Sequence, residues 1–320
     1  MEITAYNEEL REAWNDFVKG SKNGTFLLER EFMEYHKDRY EDCSVLVMEG
    51  MCVKAVFPAN IDRSEGCVVY SHQGLTYGSL IISERTTQVE VLDYLQAIAK
   101  YYRETVGAKG LVYKTIPYIY ASCACEEDRY ALFRMGATLI SRAASTVIDL
   151  HNRIPMRELR RRMCKKALQN GLKVTKHTMA DHEELTNFWN VLTEVLSDRH
   201  NVRPVHSEKE IRMLMDRFPE NIQFFSVTDE GRLVAGCIVF VTERVAHIQY
   251  ISANKEGRRL GALDLLFCQL IEKEYCNLNY LDFGVSTENG GQWLNEGLIF
   301  QKEGFGGRTV CYDAYVIGEL

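Results

Sequence analysis

Hydrophobic and polar positions alternate with two different periods along the chain, and the change of period predicts strands and helices in turn. Between residues 43 and 60, two apolar runs flank a polar turn at Glu49 and Gly50, which predicts a hairpin. Apolar residues then return at helical spacing before a buried strand that ends near Pro117. The predicted helical face consists of Val89, Leu92, Leu95 and Ala99. The first half is therefore predicted to be a mixed α/β unit.

The same order of elements returns in the second half of the chain. Residues 224–240 predict another hairpin with its turn at Asp229 to Gly231, and a helix followed by a buried strand is predicted in 263–286. Two copies of one unit explain this order better than a short-period repeat does. We predict an α/β (α+β) fold with two such domains. The predicted boundaries are 1–150 for the first domain, 151–173 for a basic linker helix and 174–320 for the second domain.

Composition limits the class of protein. The 320 residues are 46% hydrophobic and 26% charged, which suits a soluble globular chain with a sizeable core. The formal net charge is −7, which argues against general coating of nucleic acid and leaves room only for a local basic patch. We therefore predict no DNA partner.

No targeting or membrane segment is predicted. The first residues lack the basic and apolar regions of a signal peptide, and no apolar run approaches the roughly 18 residues of a membrane span. The prediction is a cytoplasmic protein that is not integral to a membrane. Peripheral association with the inner face of the membrane stays open.

The ten cysteines indicate neither a disulfide scaffold nor a metal site. Most of them lie in apolar runs, as core thiols do. Cys123 and Cys125 lie too close together for a zinc knuckle, and no second Cys/His pair completes a set of four ligands. We predict no metal cofactor.

The only dense basic cluster of the sequence lies between the two halves, at helical spacing. Its cations are Arg157, Arg160, Arg161, Arg162, Lys165 and Lys166. One interpretation is a solvated linker helix. The other is a phosphate-binding helix, because several cations on one face can hold a pyrophosphate. Arg161 and Lys165 are the candidates for that role.

Three stretches together resemble a known family: "RRRMCKKALQNGLKV" after the first half, the buried strand "YLDFGVS", and "GLIFQKEGFGG" near the C-terminus. With the doubled unit, they are similar to the FemAB-type aminoacyltransferases, a branch of the GNAT N-acyltransferase superfamily. The resemblance implies two tandem GNAT-like domains, each with a mixed, mostly antiparallel sheet flanked by helices. The family's closing pattern corresponds here to Gly297, Leu298, Lys302, Phe305 and Gly306. Gln301 stands where the family usually has phenylalanine.

The resemblance and the chemistry of acyl transfer together indicate the catalytic candidates. An amine that attacks an ester or thioester leaves negative charge on the carbonyl oxygen, and a fixed cation lowers that barrier by several kcal/mol. Lys302 is the candidate for this role, and Arg308 could hold a second anionic group. The alternative is a tight turn that leaves Lys302 in solvent. The amine must also lose a proton, and the sequence leaves His247, Tyr250 and Asp282 open as the base.

Two further segments are candidate binding sites. The polar groups of "YSHQGLTYGSL" follow an apolar strand, where α/β folds bind ligands, and the resemblance places the acceptor groove there. The acceptor candidates are His72, Gln73, Thr76, Tyr77 and, by the resemblance, Lys37. In "NKEGRRLGALDLL", Arg258, Arg259 and Gly261 correspond to the pyrophosphate loop of coenzyme A in GNAT enzymes.

We therefore predict an acyltransferase of the FemAB-like GNAT type. It would transfer an acyl or aminoacyl group to an amine of a bulky, phosphate-bearing cell-envelope or glycan precursor, linked to a lipid or a nucleotide. The donor is acyl-CoA or aminoacyl-tRNA, with coenzyme A slightly favoured because of Gln301. The alternatives are an acyl-CoA-dependent N-acetyltransferase of a soluble sugar or amino acid, and a non-catalytic binding module.

Overall fold

The computed structural model of the chain describes residues 1–64, 66–178, 182–200 and 204–319, with only the backbone at 182 and 198–200. Contacts within the chain divide it into two compact units. Unit 1 comprises Met1–Ala144, Thr287–Trp293 and Cys311–Leu320, and unit 2 comprises Ser145–Ser286 and Leu294–Val310. The residues predicted to form a separate linker helix are part of unit 2, and the last residues of the sequence are part of unit 1.

Strands and helices alternate along both halves. The strands are β1 Glu2–Ala5, β2 Glu41–Asp42, β3 Val45–Glu49, β4 Cys52–Phe57, β5 Asn60–Asp62, β6 Val68–Tyr70, β7 Ile81–Ile82, β8 Gly110–Lys114, β9 Thr138–Asp149, β10 Lys173–His177, β11 Ile222–Asp229, β12 Arg232–Val241, β13 Val245–Ala253, β14 Tyr280–Val285, β15 Thr287–Glu288, β16 Trp293–Leu294 and β17 Arg308–Gly318.

The helices include several short ones. The α-helices are α1 Arg11–Lys19, α2 Arg30–Met33, α3 Gln88–Tyr101, α4 Glu127–Arg134, α5 Glu158–Gln169, α6 His182–His200, α7 Glu208–Arg217, α8 Lys255–Leu260, α9 Ala262–Gln269 and α10 Glu296–Glu303. Single 3₁₀ turns lie at Glu8–Leu10, Phe26–Leu28, Glu34–His36, Tyr118–Tyr120 and Asn289–Gly291. The π-helical turns lie at Tyr102–Val106 and Leu270–Glu274.

Unit 1 contains an antiparallel sheet in the order β1-β3-β4-β7 and a second run in the order β8-β6-β5-β2. Strands β6 and β8 are parallel, and β8 also pairs antiparallel with residues 314–318 of β17. The core lies between these strands and α3, which starts with a capping box between Thr87 and Glu90. Fully buried side chains such as Phe57 and Leu95 each stabilise this core by about 1.5–3 kcal/mol.

Unit 2 contains the strand order β10-β11-β12-β13-β14, continued by residues 145–149 of β9. All its neighbouring strands are antiparallel except β13 and β14, which are parallel. Helix α9 buries its apolar residues against β10 to β12, and α5 packs on α9. The core includes Phe225, Leu266, Phe283 and Phe305.

The elements predicted from the hydrophobic pattern are largely confirmed. Both hairpins turn where the polar residues predict it, at Gly50 and Gly231. Helices α3 and α9 are each followed by a π-helical turn and then by a strand of a parallel pair, which fits two copies of one unit. The mixed, mostly antiparallel α/β class is therefore confirmed.

Two local predictions are wrong. The apolar residues of 24–40, with Phe32 and Tyr35 on the inward face, predict a helix. This segment is instead broken at Glu29, where the backbone is extended, because Arg30 N–H donates to the Asn15 side chain and Trp14 donates to the Leu28 carbonyl. The buried face of α3 is also rotated from the predicted one. It consists of Val91, Tyr94, Leu95 and Ile98. Val89 is 69% exposed.

No helix in the described part of the chain is both long enough and apolar enough to cross a bilayer.

Candidate active site

The two parallel strands of unit 2 stop pairing at two of the predicted catalytic residues. Strands β13 and β14 pair only from Val245 to His247 and from Tyr280 to Asp282, with His247 opposite Asp282 in register. Beyond this point no pairing joins the two described strands. The last paired position therefore places an imidazole and a carboxylate at the start of the gap between the strands.

Asp282 is completely buried and accepts hydrogen bonds on both oxygens. Its Oδ2 lies 2.8 Å from Nδ1 of His247. Its Oδ1 accepts from the hydroxyl of Ser145 and, at 2.9 Å, from the backbone N–H of Gly284. A carboxylate beside Nδ1 favours the tautomer with the proton on Nδ1, so that Nε2 of His247 is the basic nitrogen. His247 keeps 13% of its side chain exposed.

Tyr250, the third candidate base, has a different environment. The register between β12 and β13 slips at Gln249, so that Phe240 faces His247 and Ile238 faces Tyr250. Phe240 and Ile238 lie two residues apart on β12, so their side chains point to the same face of the sheet. Paired residues share a face, and the bulge therefore puts His247 and Tyr250 on that face as well.

The hydroxyl of Tyr250 lies 2.6 Å from Nδ1 of His206 and accepts from the backbone N–H of the same residue. Burial raises the pKa of Tyr250 to about 12, which suits a neutral hydrogen-bonding group better than a base.

Lys302 lies in the C-terminal turn of α10 and is buried, with 8% exposed. Its ammonium donates to the carbonyl oxygens of Gly284 and Val285 at 2.8 and 2.9 Å. Gly284 has φ of +75°, and β14 bulges here, which lets both carbonyls turn toward α10. Burial lowers the pKa of Lys302 to about 8, although Asp282 opposes this shift. The turn interpretation expected Lys302 to lie in solvent. The burial of Lys302 contradicts that expectation.

The glycines after Lys302 serve close contacts within the chain. Gly306 has φ of +99°, and a Cβ there would collide with the Ile154 carbonyl. A Cβ at Gly307 would meet the methyl group of Thr146. Arg308 is exposed, and its guanidinium donates to the Gly307 carbonyl at 2.6 Å. The absence of a Cβ at Gly306 and Gly307 therefore allows close packing against residues 154 and 146.

The residues predicted to bind the coenzyme A pyrophosphate do not form an open anion site. Arg258 donates to the Ala253 carbonyl at 2.6 Å, and Arg259 pairs with Glu256 at 2.5 Å. Gly261 has φ of +81° and is buried, and a Cβ there would lie 2.9 Å from the Met163 carbonyl oxygen of α5.

Helix α5 thus covers the first turn of α9, where the free N–H groups would have to meet the pyrophosphate. Ala262 at this turn is fully buried. The same turn carries an acid, Asp264, which pairs at 2.8 Å with Arg160 of α5. Burial raises the pKa of Asp264, and Arg160 opposes the shift. These residues do not fit a coenzyme A pyrophosphate.

The two predicted phosphate-binding cations of α5 lie on its exposed face. Arg161 pairs with Glu158 one turn earlier at 2.6 Å, and Lys165 is exposed. The opposite face of the helix buries Ala167 and carries Arg160 inward. The structure therefore separates the basic cluster into an exposed group and one buried ion pair.

In unit 1, the predicted acceptor loop surrounds a buried histidine. His72 is 3% exposed and has φ of +64°, a region that residues other than glycine rarely adopt. Its ring stacks on His36, with centroids 5.0 Å apart and planes at 16°. Two hydrogen bonds between Asn60 and Gln73, both 2.7 Å, fix the loop beside it.

The charges around His72 are positive. Burial lowers its pKa well below the usual value, and His36, Lys114 and Arg30 add to the shift. Lys114 is half-buried, its ammonium donates to the Leu75 carbonyl, and desolvation lowers its pKa to about 8. His72 is therefore neutral near pH 7.

The other acceptor candidates differ in exposure. Lys37 is exposed and directly follows His36, while Thr76 is exposed on the loop and Gln73 is half-buried. Tyr77 is a core residue, because its hydroxyl donates to Thr25 at 3.1 Å and its ring contacts Tyr120. The contact of His36 with His72 brings Lys37 and the loop into one region of unit 1.

Several residues of these sites were not found from sequence. Ser145, Asn60 and Lys114 lie in strands without a motif, and Asp264 lies in the predicted pyrophosphate segment without a role assigned to it; the partners of all four are remote in the chain. His36 stands next to Lys37 in "EYHK", and that adjacency was the one available signal.

The comparisons with known proteins agree with this geometry. Residues 156–289 match the family model described as an acetyltransferase (GNAT) domain. A search of curated proteins finds no match. Among solved structures, FemX is similar over 100% of this chain and 98% of its own, with a TM-score of 0.73 and 12% identity.

Two other solved structures have the same fold. The C-terminal domain of a lysylphosphatidylglycerol synthetase from Agrobacterium fabrum is 12% identical, with a TM-score of 0.61, over 98% of this chain and 92% of that one. A tandem GNAT protein from the clavulanic acid biosynthesis pathway is 11% identical, with a TM-score of 0.53, over 99% and 98%. Residues 156–289 are therefore similar to a GNAT domain, and the chain shares its fold with FemX and with a tandem GNAT protein, as the resemblance seen in the sequence implies for the fold.

Proposed function

We propose that the protein is an N-acyltransferase whose reaction takes place in unit 2, with His247 as the base. The observation that carries this proposal is the buried Asp282 bonded to Nδ1 of His247 at the point where β13 and β14 part. A carboxylate in this position orients the imidazole and stabilises its protonated form. GNAT domains are acyltransferases, and this pair supplies the proton acceptor that an amine nucleophile needs.

The proposed reaction forms an amide and releases an alcohol or thiol. The amine nitrogen bonds to the carbonyl carbon of the donor while Nε2 of His247 takes a proton from the amine. The bond from the carbonyl carbon to the leaving oxygen or sulfur then breaks, and the imidazolium returns the proton to that atom. No metal or redox partner is needed for this balance.

Lys302 is proposed to stabilise the oxyanion. An ammonium has three N–H donors, and the carbonyls of Gly284 and Val285 take two of them, which leaves one for a developing negative charge. Because the ammonium is held on both sides and buried, it needs no reorganisation as charge develops. Tyr250 and Arg308 remain candidates for neutral and anionic contacts with substrate.

For the donor, the structure around α9 favours an aminoacyl ester of tRNA over a coenzyme A thioester. Sequence favoured coenzyme A slightly, but Met163 and Asp264 occupy the place where its pyrophosphate would bind. An aminoacyl ester needs only the reacting carbonyl in the gap between β13 and β14. Its phosphates can contact exposed cations elsewhere on the protein.

The proposed acceptor is an amine on a bulky, phosphate-bearing cell-envelope or glycan precursor. Two features of this chain support it: the region of unit 1 that holds Lys37 and the loop at 72–76, and the exposed cations Arg161 and Lys165. The name of one similar structure, lysylphosphatidylglycerol synthetase, is that of an enzyme that makes an aminoacylated phospholipid. Peripheral association with the inner membrane face follows if the acceptor is lipid-linked.

The test is single-turnover transfer from labelled donors. The wild-type protein is mixed with a pool of labelled aminoacyl-tRNAs or with labelled acetyl-CoA, and with amine-bearing lipid- or nucleotide-linked precursors. We expect label in the precursor from aminoacyl-tRNA and no rise of the melting temperature with millimolar coenzyme A. Transfer from acetyl-CoA, or a clear thermal shift, would overturn the donor assignment.

Variants of His247 and Asp282 distinguish the loss of the proposed base from a general loss of folding. We expect His247→Gln and Asp282→Asn to lower the single-turnover rate by about 10²- to 10⁴-fold, as loss of a positioned base does. His177→Gln is the matched control, because His177 also lies in the sheet of unit 2 and its ring bonds to the hydroxyl of Ser226 at 2.6 Å. An unchanged rate in folded His247→Gln would remove the base assignment. No transfer from any donor would favour a non-catalytic binding module.

A further inference from the structure

One surface of unit 2 combines positive charge with exposed apolar side chains. Residues 153–166 contain seven Lys or Arg and one Glu, a local net charge of 7 − 1 = +6, in a chain whose total is −7. On α5, Arg161, Arg162 and Lys165 all point to the exposed side. The buried side of the same helix packs on α9.

Exposed apolar side chains adjoin these cations. Ile154 is 41% exposed and Leu159 is 44% exposed, just before and within α5. Phe300 of α10 is 57% exposed. Single exposed apolar side chains occur elsewhere in the chain, as Met51 and Phe133 do, but a group of them beside a basic helix is typical of an interaction surface.

Direct contacts join the two segments into one surface. The guanidinium of Arg157 lies 4.1 Å from the centre of the Phe300 ring, and its backbone N–H donates to the Gly304 carbonyl at 2.8 Å. Close packing of Gly306 against the Ile154 carbonyl holds the segment before α5 on the segment after α10. The basic face of α5, Ile154, Leu159 and Phe300 are called the amphipathic surface below.

We propose that the amphipathic surface docks on the surface of a membrane that contains anionic lipids. Each exposed cation is attracted to anionic headgroups, while Ile154, Leu159 and Phe300 can enter the boundary between headgroups and acyl chains. Charge complementarity alone would also suit RNA. Aliphatic side chains such as Ile154 and Leu159 gain nothing against a phosphate backbone, however, and they gain free energy in an apolar phase.

The experiment is sedimentation of the purified full chain with vesicles, without donor or acceptor. We expect binding to vesicles of phosphatidylcholine mixed with phosphatidylglycerol and little binding to phosphatidylcholine alone. Arg162→Glu with Lys165→Glu should lower the bound fraction about tenfold or more, and Phe300→Ser should lower it about fivefold. Because no turnover is measured, failure here is distinct from failure of the proposed reaction.

Matched controls come from unit 1. Lys100→Glu with Arg103→Glu reverses two cations with side chains 67% and 70% exposed, and Met51→Ser removes an apolar side chain that is 96% exposed. Both should bind as the wild type does, and circular dichroism verifies the fold of each variant. Equal binding to both vesicle types would overturn the proposal. Binding that needs the cations but is unchanged in Phe300→Ser and is displaced by homopolymeric RNA would overturn it in favour of a polyanion site.

Discussion

A histidine lies near the end of a parallel strand pair in each unit, and the charges around the two histidines differ. The strands that stop pairing are β6 and β8 in unit 1 and β13 and β14 in unit 2. His247 of unit 2 is in the last pair and lies beside a buried carboxylate, whereas His72 of unit 1 lies two residues beyond Tyr70, the last paired residue of β6, and near cations such as Lys114. The first histidine is oriented by a carboxylate. The second is held neutral near pH 7.

The comparison shows that the groups around a histidine decide its chemistry. Asp282 bonds to Nδ1 of His247 and so orients the ring with Nε2 available to a substrate. Burial, together with the nearby His36, Lys114 and Arg30, lowers the pKa of His72, so unit 1 offers hydrogen bonding and stacking and no base at this histidine. Each unit also has a lysine with its pKa lowered to about 8, which allows matched experiments.

The largest effect on the reaction rate is expected for substitution of Lys302, with Lys114 as its matched control. Lys302→Met should lower the single-turnover rate about a hundredfold or more, as loss of one oxyanion donor does. It should also lower the melting temperature, because the carbonyls of Gly284 and Val285 lose their donor. Lys114→Met also removes a donor, from the Leu75 carbonyl, and should lower stability without this loss of rate.

The comparison of Lys302→Met with Lys114→Met distinguishes a loss of catalysis from a loss of stability. Rates are measured at saturating acceptor and normalised to folded protein from circular dichroism. If folded Lys302→Met retains a rate within about threefold of wild type, the two lysines are equivalent structural groups and Lys302 has no role in the reaction.

A smaller effect is expected at Ser145, which we assign as a positioning residue for Asp282. Ser145→Ala removes one donor from Oδ1, so the carboxylate charge concentrates on the oxygen that faces His247. We expect a rate about tenfold lower and an acid limb of the pH–rate profile at higher pH, because the imidazolium is better stabilised. Thr146→Val is the control, since the buried Thr146 hydroxyl has no described hydrogen bond. A profile with an unmoved acid limb would contradict this role.

The smallest effect concerns stability at low pH. The pKa of His72 in the folded chain lies well below the usual 6.5. Below about pH 6.5, His72 is therefore protonated in the unfolded chain while it stays neutral in the folded chain. The free energy of unfolding should therefore fall as pH drops from 7 to 5. In His72→Asn, which tolerates positive φ, this fall should be shallower.

Urea unfolding at several pH values measures the fall. His151→Asn replaces an exposed histidine and should behave as the wild type does. Equal pH dependence in wild type and His72→Asn would mean that the cationic surroundings of His72 do not exclude its proton.

The elements that sequence predicted are those with local causes. The hairpins at Gly50 and Gly231 follow from alternation and turn residues, which need no distant partner. The break at Glu29 depends on two residues of another helix, since Asn15 accepts a hydrogen bond from the Arg30 N–H and Trp14 donates one to the Leu28 carbonyl. No local pattern contains that information.

The candidate site divides in the same way. His247, Asp282 and Lys302 were found because polar groups in apolar segments and a family pattern mark them. Their mutual geometry depends on strand register, so sequence could not choose His247 over Tyr250 or find Ser145, 137 residues from Asp282. Gly261 was interpreted as space for an anion, and only the packing of α5 shows that the space is taken.

The pairing of β17 with β8 sets an order for folding during translation. Residues 110–114 of unit 1 pair with residues 314–318, which the ribosome adds about 200 residues later. At usual elongation rates this delay is roughly 10 to 40 s. Over that interval one edge of β8 has no partner in the nascent chain, while most of unit 2 is already synthesised. Unit 1, whose first residues are synthesised before those of unit 2, is therefore expected to be the last to finish folding, and chains that stop before residue 308 should be recognised by chaperones and proteases through unit 1.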